Sequence, residues 1–234
     1  MDNFSNTPDR RSVQDVSAVN SFLTKMYGLM VLAVLVSAAT AYITTTFFAS
    51  TIMNMSNTVY WIVVIVPIFL CLGISFKSAS NPRLGFVLLM ILSIVYGFEF
   101  SFIAGYFTSA QIGGAFISAA AIFGAMALFG TVTKRDLSNW GAYLTAALIG
   151  FIIAWIVNMF LRSPAVTYIF SYIGVIIFTL WIAYDAQAAK KIYANFNGQV
   201  SDNSLAIMGA LNLYLDFINI FMFLLEIFGM GNDR

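Results

Sequence analysis

Leu211-Asn212-Leu213-Tyr214-Leu215-Asp216-Phe217-Ile218-Asn219-Ile220-Phe221-Met222-Phe223-Leu224-Leu225-Glu226-Ile227-Phe228 decides how this chain folds. The stretch is apolar enough to sit in lipid, where about 20 residues of helix cross about 30 Å of hydrocarbon. Yet Asp216 stands near its middle. An ionisable side chain at that depth costs roughly 3 kcal/mol or more, so it normally faces a bundle interior or a watered cavity. The segment is therefore predicted to be an inner helix, screened from lipid by other helices. Asn212 and Asn219, at i−4 and i+3 from Asp216, lie near its face and within hydrogen-bonding reach.

The rest of the chain agrees with a membrane setting. Hydrophobic residues make up 61% of the 234 and charged residues 9%, against about 25% charged in soluble domains. A net charge of +1 leaves no electrostatic footprint for nucleic acid. The one cysteine, Cys71, excludes an internal disulfide. There is no histidine, so proton sensing falls to carboxylates. No phosphate-binding loop and no zinc-ligand cluster occurs, and no resident cofactor is expected.

Seven apolar runs are long enough to cross a bilayer: Phe22–Phe48, Val59–Phe76, Gly85–Phe107, Gln111–Val132, Trp140–Leu161, Ala165–Tyr184 and Ser204–Phe228. They are continuous rather than alternating, which favours helices over a closed barrel. The expected fold is all-α, a polytopic bundle of seven transmembrane helices. It divides into a polar cytosolic tail at 1–21, the bundle at 22–228 and a short external tail at 229–234. Nine of the eleven Lys and Arg residues fall on the side of the N-terminus, from Arg10 and Arg11 through Lys190 and Lys191; Arg162 and Arg234 fall on the other. The excess predicts a cytosolic N-terminus and an external C-terminus. Without retention or lipidation signals, the chain fits a bacterial plasma membrane, with an internal eukaryotic membrane as the alternative. Pro67 is expected to kink the second span. Gly113, Gly114, Ser118, Ala121, Gly124 and Ala125 are expected to let the fourth pack closely. The segment Lys190–Asp202, with little apolar surface, reads as a mobile cytosolic loop.

Four carboxylates lie in or beside these runs. Glu99 is midway along the third span, Asp185 ends the sixth, Asp216 is central in the seventh and Glu226 is near its outer end. Asp185 and Asp216, on consecutive helices, suggest a pair. Two carboxyls within a few ångströms cannot both ionise cheaply and titrate as a unit. Deprotonated, they are hard oxygen ligands suited to Ca²⁺. The alternative is that each aspartate is hydrogen-bonded separately. Depth opposes the pair: Asp185 falls near the cytosolic end of its run, and Asp216 about 18 Å into its own. The two meet only if the sixth helix continues through Lys190 or the seventh starts on the cytosolic side of the membrane.

Tyr184-Asp185-Ala186-Gln187, followed by Leu213-Tyr214-Leu215-Asp216-Phe217-Ile218-Asn219, resembles the transmembrane Bax inhibitor motif family, over nearly the whole chain. The resemblance implies a central seventh helix surrounded by six. It also implies calcium leak across a membrane and a pH-sensing aspartate pair, which the motifs place at Asp185 and Asp216. A cytosolic-side arginine paired with the first aspartate is implied too, with Arg83 or Lys77 as the candidate. Ala186 stands where members commonly carry Thr, and Glu226 where they commonly carry Arg, which makes the outer mouth more acidic.

The leading expectation is a pH-sensitive calcium leak channel or calcium/proton exchanger, with Ca²⁺ and H⁺ as its ions and the lipid bilayer as its surroundings. Accessory roles fall to Arg83, Glu99, Asn219 and Glu226. The competing class is a non-conducting regulator with a membrane-protein partner, such as a protease or a cell-death factor. An intramembrane aspartyl protease also places aspartates on neighbouring helices. Its second aspartate, however, follows a Gly-x-Gly turn, whereas Asp216 follows Leu213-Tyr214-Leu215, and an enzyme is not expected.

Overall fold

Apolar length and polar caps set the elements. A computed structural model describes residues 8–230. The ends of both expected tails, including Asn232, lie outside them. The helices are α1 (Pro8–Phe47), a short α2 (Ala49–Met53), α3 (Asn57–Lys77), α4 (Pro82–Ala104), α5 (Ser109–Val132), α6 (Trp140–Leu161), α7 (Pro164–Phe196) and α8 (Asp202–Met230). All except α2 are long and apolar enough to cross a membrane. The described residues hold no strand.

Small polar residues start the helices where orphan backbone N–H groups need acceptors. Ser56 accepts from the Val59 amide, Asn81 from Leu84, and Ser163 from Val166. Pro82 and Pro164 occupy first-turn positions that lack an intrahelical donor partner. Thr108 and Gln111 form a reciprocal capping box at α5. α6 ends on Arg162 in the left-handed region, at φ 52°. α3 continues on both sides of the buried Pro67.

Two expectations change. α1 begins at Pro8, upstream of the run that starts at Phe22, so its helix enters the stretch read as a tail. α7 does not stop at Tyr184 but continues to Phe196. The mobile loop expected at Lys190–Asp202 therefore shrinks to a turn at 197–201, with Gly198 at φ 83° supplying a left-handed residue. The extension is held by polar contacts that hydropathy does not register. Gln187 donates to the Arg135 carbonyl and accepts from the Leu137 amide, both at 2.8 Å. Lys191 pairs with Asp136 and bonds Ser138.

α8 packs against α7, α5, α1, α4 and α3. α6 docks on α7 and reaches α8 through Phe151 against Phe223. Half of the apolar stretch of α8 is buried, against 11% for α3 and for α6. Packing in lipid rests on close contact rather than on release of water, so small residues matter at the crossings. In α5 the buried small residues are Ala115, Ala119, Ala127 and Gly130. Of the expected stripe, Gly114 lies against Phe228 of α8, while Gly113 and Gly124 face open space. A Cβ on Gly130 would lie 2.9 Å from the Ala183 Cα of α7, so the two backbones touch there.

Candidate functional site

The α7–α8 interface carries the two aspartates. Gly174 on α7 lies against the Phe223 ring, and Ala189 lies beside Gly209 of α8. Between these contacts the antiparallel register sets Asp216 level with Trp181 and Ile182. That is one helical turn, about 5 Å, from Asp185. The long α7 and the early start of α8 thus remove the depth objection, since both helices rise together from the turn at 197–201.

The two carboxyls have different surroundings. Asp216 is 5% exposed, and its Oδ2 is buried without a hydrogen-bond partner. Asp185 is partly buried. It lines a cavity of about 100 Å³ with Ser75, Ile192, Met208 and Asn212, among others, toward the α7–α8 turn. The Trp181 indole Nε1, level with Asp216, is also buried and unpaired. An orphan donor and an orphan acceptor in one layer are unusual, since buried polar groups are nearly always satisfied.

The other candidates lie elsewhere. Glu99 on α4 has a buried, unpaired Oε1 and stands two residues from Gly97, where α4 packs against Ser37 of α1. It belongs to a separate polar layer in which the Tyr214 hydroxyl meets Ser37 Oγ at 2.7 Å and Ser37 donates to the Ser93 carbonyl at 2.8 Å. Glu226 accepts from Ser171 Oγ at 2.5 Å. It lines a cavity of about 460 Å³ at the far end of α8 with Thr108, Gln111 and Thr167. Asn219 donates to the Leu215 carbonyl of its own helix at 2.7 Å, and Asn212 is exposed. Arg83 is exposed at the start of α4 and makes no ion pair with either aspartate; the ion pair among the described residues is Lys191–Asp136.

That ion pair and Gln187 are what sequence reasoning missed. Both brace α7 just past Asp185, and the available signal was the helix-forming stretch Ala186-Gln187-Ala188-Ala189 directly beyond the apolar run. The Lys191 ammonium, then the Ser138 amide, hold the Asp136 carboxyl well below the usual carboxylate range. For a cation, the aspartate pair offers two carboxylates. No group of three or more His, Cys, Asp or Glu side chains able to hold a metal forms among the described residues. Ca²⁺ takes 6–8 oxygens, so the pair supplies part of a shell.

Comparison with known proteins agrees with this architecture. The family model for "Inhibitor of apoptosis-promoting Bax1" matches residues 19–233. The uncharacterized protein YrjE of Lactococcus lactis is 38% identical over 230 residues, covering 97% of this chain and 96% of its own. The inner membrane protein YbhL of Escherichia coli is 37% identical over 224 residues, covering 93% and 94%. An uncharacterized membrane protein of Streptococcus pyogenes serotype M1 is 36% identical over 217 residues, covering 92% and 94%. With seven apolar helices and matches along almost its full length, the chain belongs to the Bax inhibitor family of multi-pass membrane proteins.

Proposed function

We propose that the protein is a pH-sensitive calcium leak channel or calcium/proton exchanger controlled by Asp185 and Asp216. The observation that carries this reading is the carboxyl pair on α7 and α8, one member buried without a partner and the other open to a cavity. Asp185 provides access from the cytosolic side, and Asp216 holds the inner position. Protonated and deprotonated pairs favour different packings of α8 against α7, because a deprotonated pair places like charges in a dry interface. Two carboxylates and little else suit a passing Ca²⁺ better than a stored one. Ca²⁺ and H⁺ are cargo, and no cofactor or covalent chemistry is involved. Orientation follows the Lys and Arg excess, with the N-terminus cytosolic in a bacterial plasma membrane. In a Cys71→Ser background, Ser12→Cys is then shielded from impermeant reagents outside intact cells, while Asn232→Cys is labelled.

The test is calcium flux by the purified protein in liposomes at two pH values. Asp216→Asn and Asp185→Asn are each expected to remove most of the pH dependence, and the double variant adds little to either, as for coupled groups. Glu99→Gln, in the separate layer, retains it. Absence of flux without a partner favours the non-conducting regulator. Loss of pH dependence in Glu99→Gln, with both aspartate variants unchanged, moves the sensor to the Glu99 layer.

A further inference from the structure

α1 and α5 are tied together on the side of the α7–α8 turn, where the Tyr27 hydroxyl meets Thr131 Oγ1 at 2.7 Å. Toward the α4–α5 turn a cavity of about 670 Å³ lies between them, within the roughly 300–1,000 Å³ of small-ligand sites. Tyr42 of α1 faces Gly113, Phe116 and Ile117 of α5, over a floor made by Phe217 and Phe221 of α8. From Val34 to Thr46 the groove follows about 18 Å of α1, close to one leaflet, which is half of an approximately 30 Å core.

Its polarity is graded. No charged side chain lines it. At the deep end the Ser37 hydroxyl is engaged by Tyr214 and by the Ser93 carbonyl, so it offers nothing to a polar ligand. At the mouth, Thr46 and Ser109 have hydroxyls without hydrogen-bond partners among the described residues, beside Thr45, which bonds the Ala41 carbonyl. An apolar slot at this depth does not hold water, and an empty one forfeits dispersion contacts along its walls. A neighbouring transmembrane helix would run through the whole core of about 30 Å, whereas the groove follows about 18 Å of α1. We propose that the groove binds one acyl chain of a membrane lipid from the leaflet on the side of the α4–α5 turn, with the tail end near Ser37 and the ester region at Thr46 and Ser109.

The experiment uses the full-length protein in phosphatidylethanolamine vesicles doped with phosphatidylglycerol that carries a diazirine within one acyl chain. Photolysis and peptide mapping are expected to concentrate adducts on Tyr42, Phe116 and Ile117, above those on Ile153 and Val157, which α6 exposes elsewhere. Moving the diazirine to the chain terminus is expected to shift adducts toward Val34. Gly113→Leu adds a side chain where Gly113 now faces open space. It is expected to lose most of the groove adduct while the α6 adducts persist. Gly124→Leu, also in open space on α5 but outside the groove, keeps both. Groove labelling no greater than on α6, indifferent to chain position and to Gly113→Leu, means ordinary surrounding lipid and overturns the proposal. Crosslinks through Tyr42 and Ile117 to a second copy, in place of lipid adducts, overturn it as well.

Discussion

Asp216 is expected to cost the protein stability, and that cost can be measured. Its Oδ2 is buried against the α7 interface with no partner. A buried polar group left unsatisfied costs about 1–3 kcal/mol. Asp216→Val removes the group at similar size. Against that gain stand a helix-propensity loss of at most about 0.7 kcal/mol for a β-branched residue and slight crowding from the larger side chain. The net expectation is a gain of about 1–2 kcal/mol, or roughly 2–4 °C in Tm per kcal/mol for a chain of this size. Asp216→Asn keeps an unpaired polar group in the same place and is expected to keep that cost. The assay is thermal unfolding of the purified full-length chain in detergent, read by helical circular dichroism, alongside flux in liposomes. Both variants are expected to lose the pH response, while only valine gains stability. A fall in Tm for valine, or equal gains for valine and asparagine, would show that Asp216 is satisfied in the resting state and would refute the reasoning.

The remaining predictions concern the frame around the pair. Gly130→Val drives a side chain into the Ala183 backbone, two residues before Asp185, and is expected to destabilise by about 1–3 kcal/mol. Gly124→Val, facing open space, changes stability by no more than about 0.5 kcal/mol; thermal unfolding separates the two. Asp136 is held below the usual carboxylate range, so its contribution is present above the unfolded carboxylate pKa and is lost as pH falls through the lowered one. Between about pH 5 and 8 the Asp136–Lys191 pair stays intact, and Asp136→Asn is expected to leave the pH response of flux unchanged. Finally, trypsin is expected to spare Lys190 and Lys191, which lie inside α7, while a protease of broad specificity cuts first in the turn at 197–201; early tryptic cleavage there would show that the extension frays.

The spans were legible because lipid imposes one rule, a continuous apolar run, and α6 lies where its run predicts, at Trp140–Leu161. The end of α7 was not legible for the same reason. The continuous apolar run stops at Tyr184, before Asp185 and Gln187. The helix continues because Gln187 and Lys191 are held by the α5–α6 loop, a long-range contact that no local window contains. Asp185 and Asp216 stood out as charges in apolar surroundings, and their separation in depth was an artefact of ending the helix with the hydropathy. Small residues do pack α5: Gly130 meets α7 and Gly114 lies against Phe228 of α8, while Gly113 and Gly124 face open space. Glycine spacing alone does not say which face meets α7, and the burial of Ala127 and Gly130 rather than Gly124 does.

α8 also joins three polar levels that a list of carboxylates keeps apart. Near its middle Tyr214 is bonded to Ser37 of α1, and Asp216 is buried at the level of Trp181 and Ile182 of α7. At its far end Glu226 is held by Ser171 of α7, and the Phe228 carbonyl accepts from Gln111 of α5 at 3.1 Å. Hydrogen bonds weaken steeply once donor and acceptor separate beyond about 3.2 Å. A displacement of α8 by one helical turn, about 5 Å, would therefore break the Tyr214 and Glu226 contacts together. If the proposed proton at the aspartate pair biases the packing of α8, the bias is felt at the Tyr214 level and at the Glu226 cavity through one rigid helix. No separate relay is needed, since one packed helix with two arrangements is the kind of element through which distant sites couple.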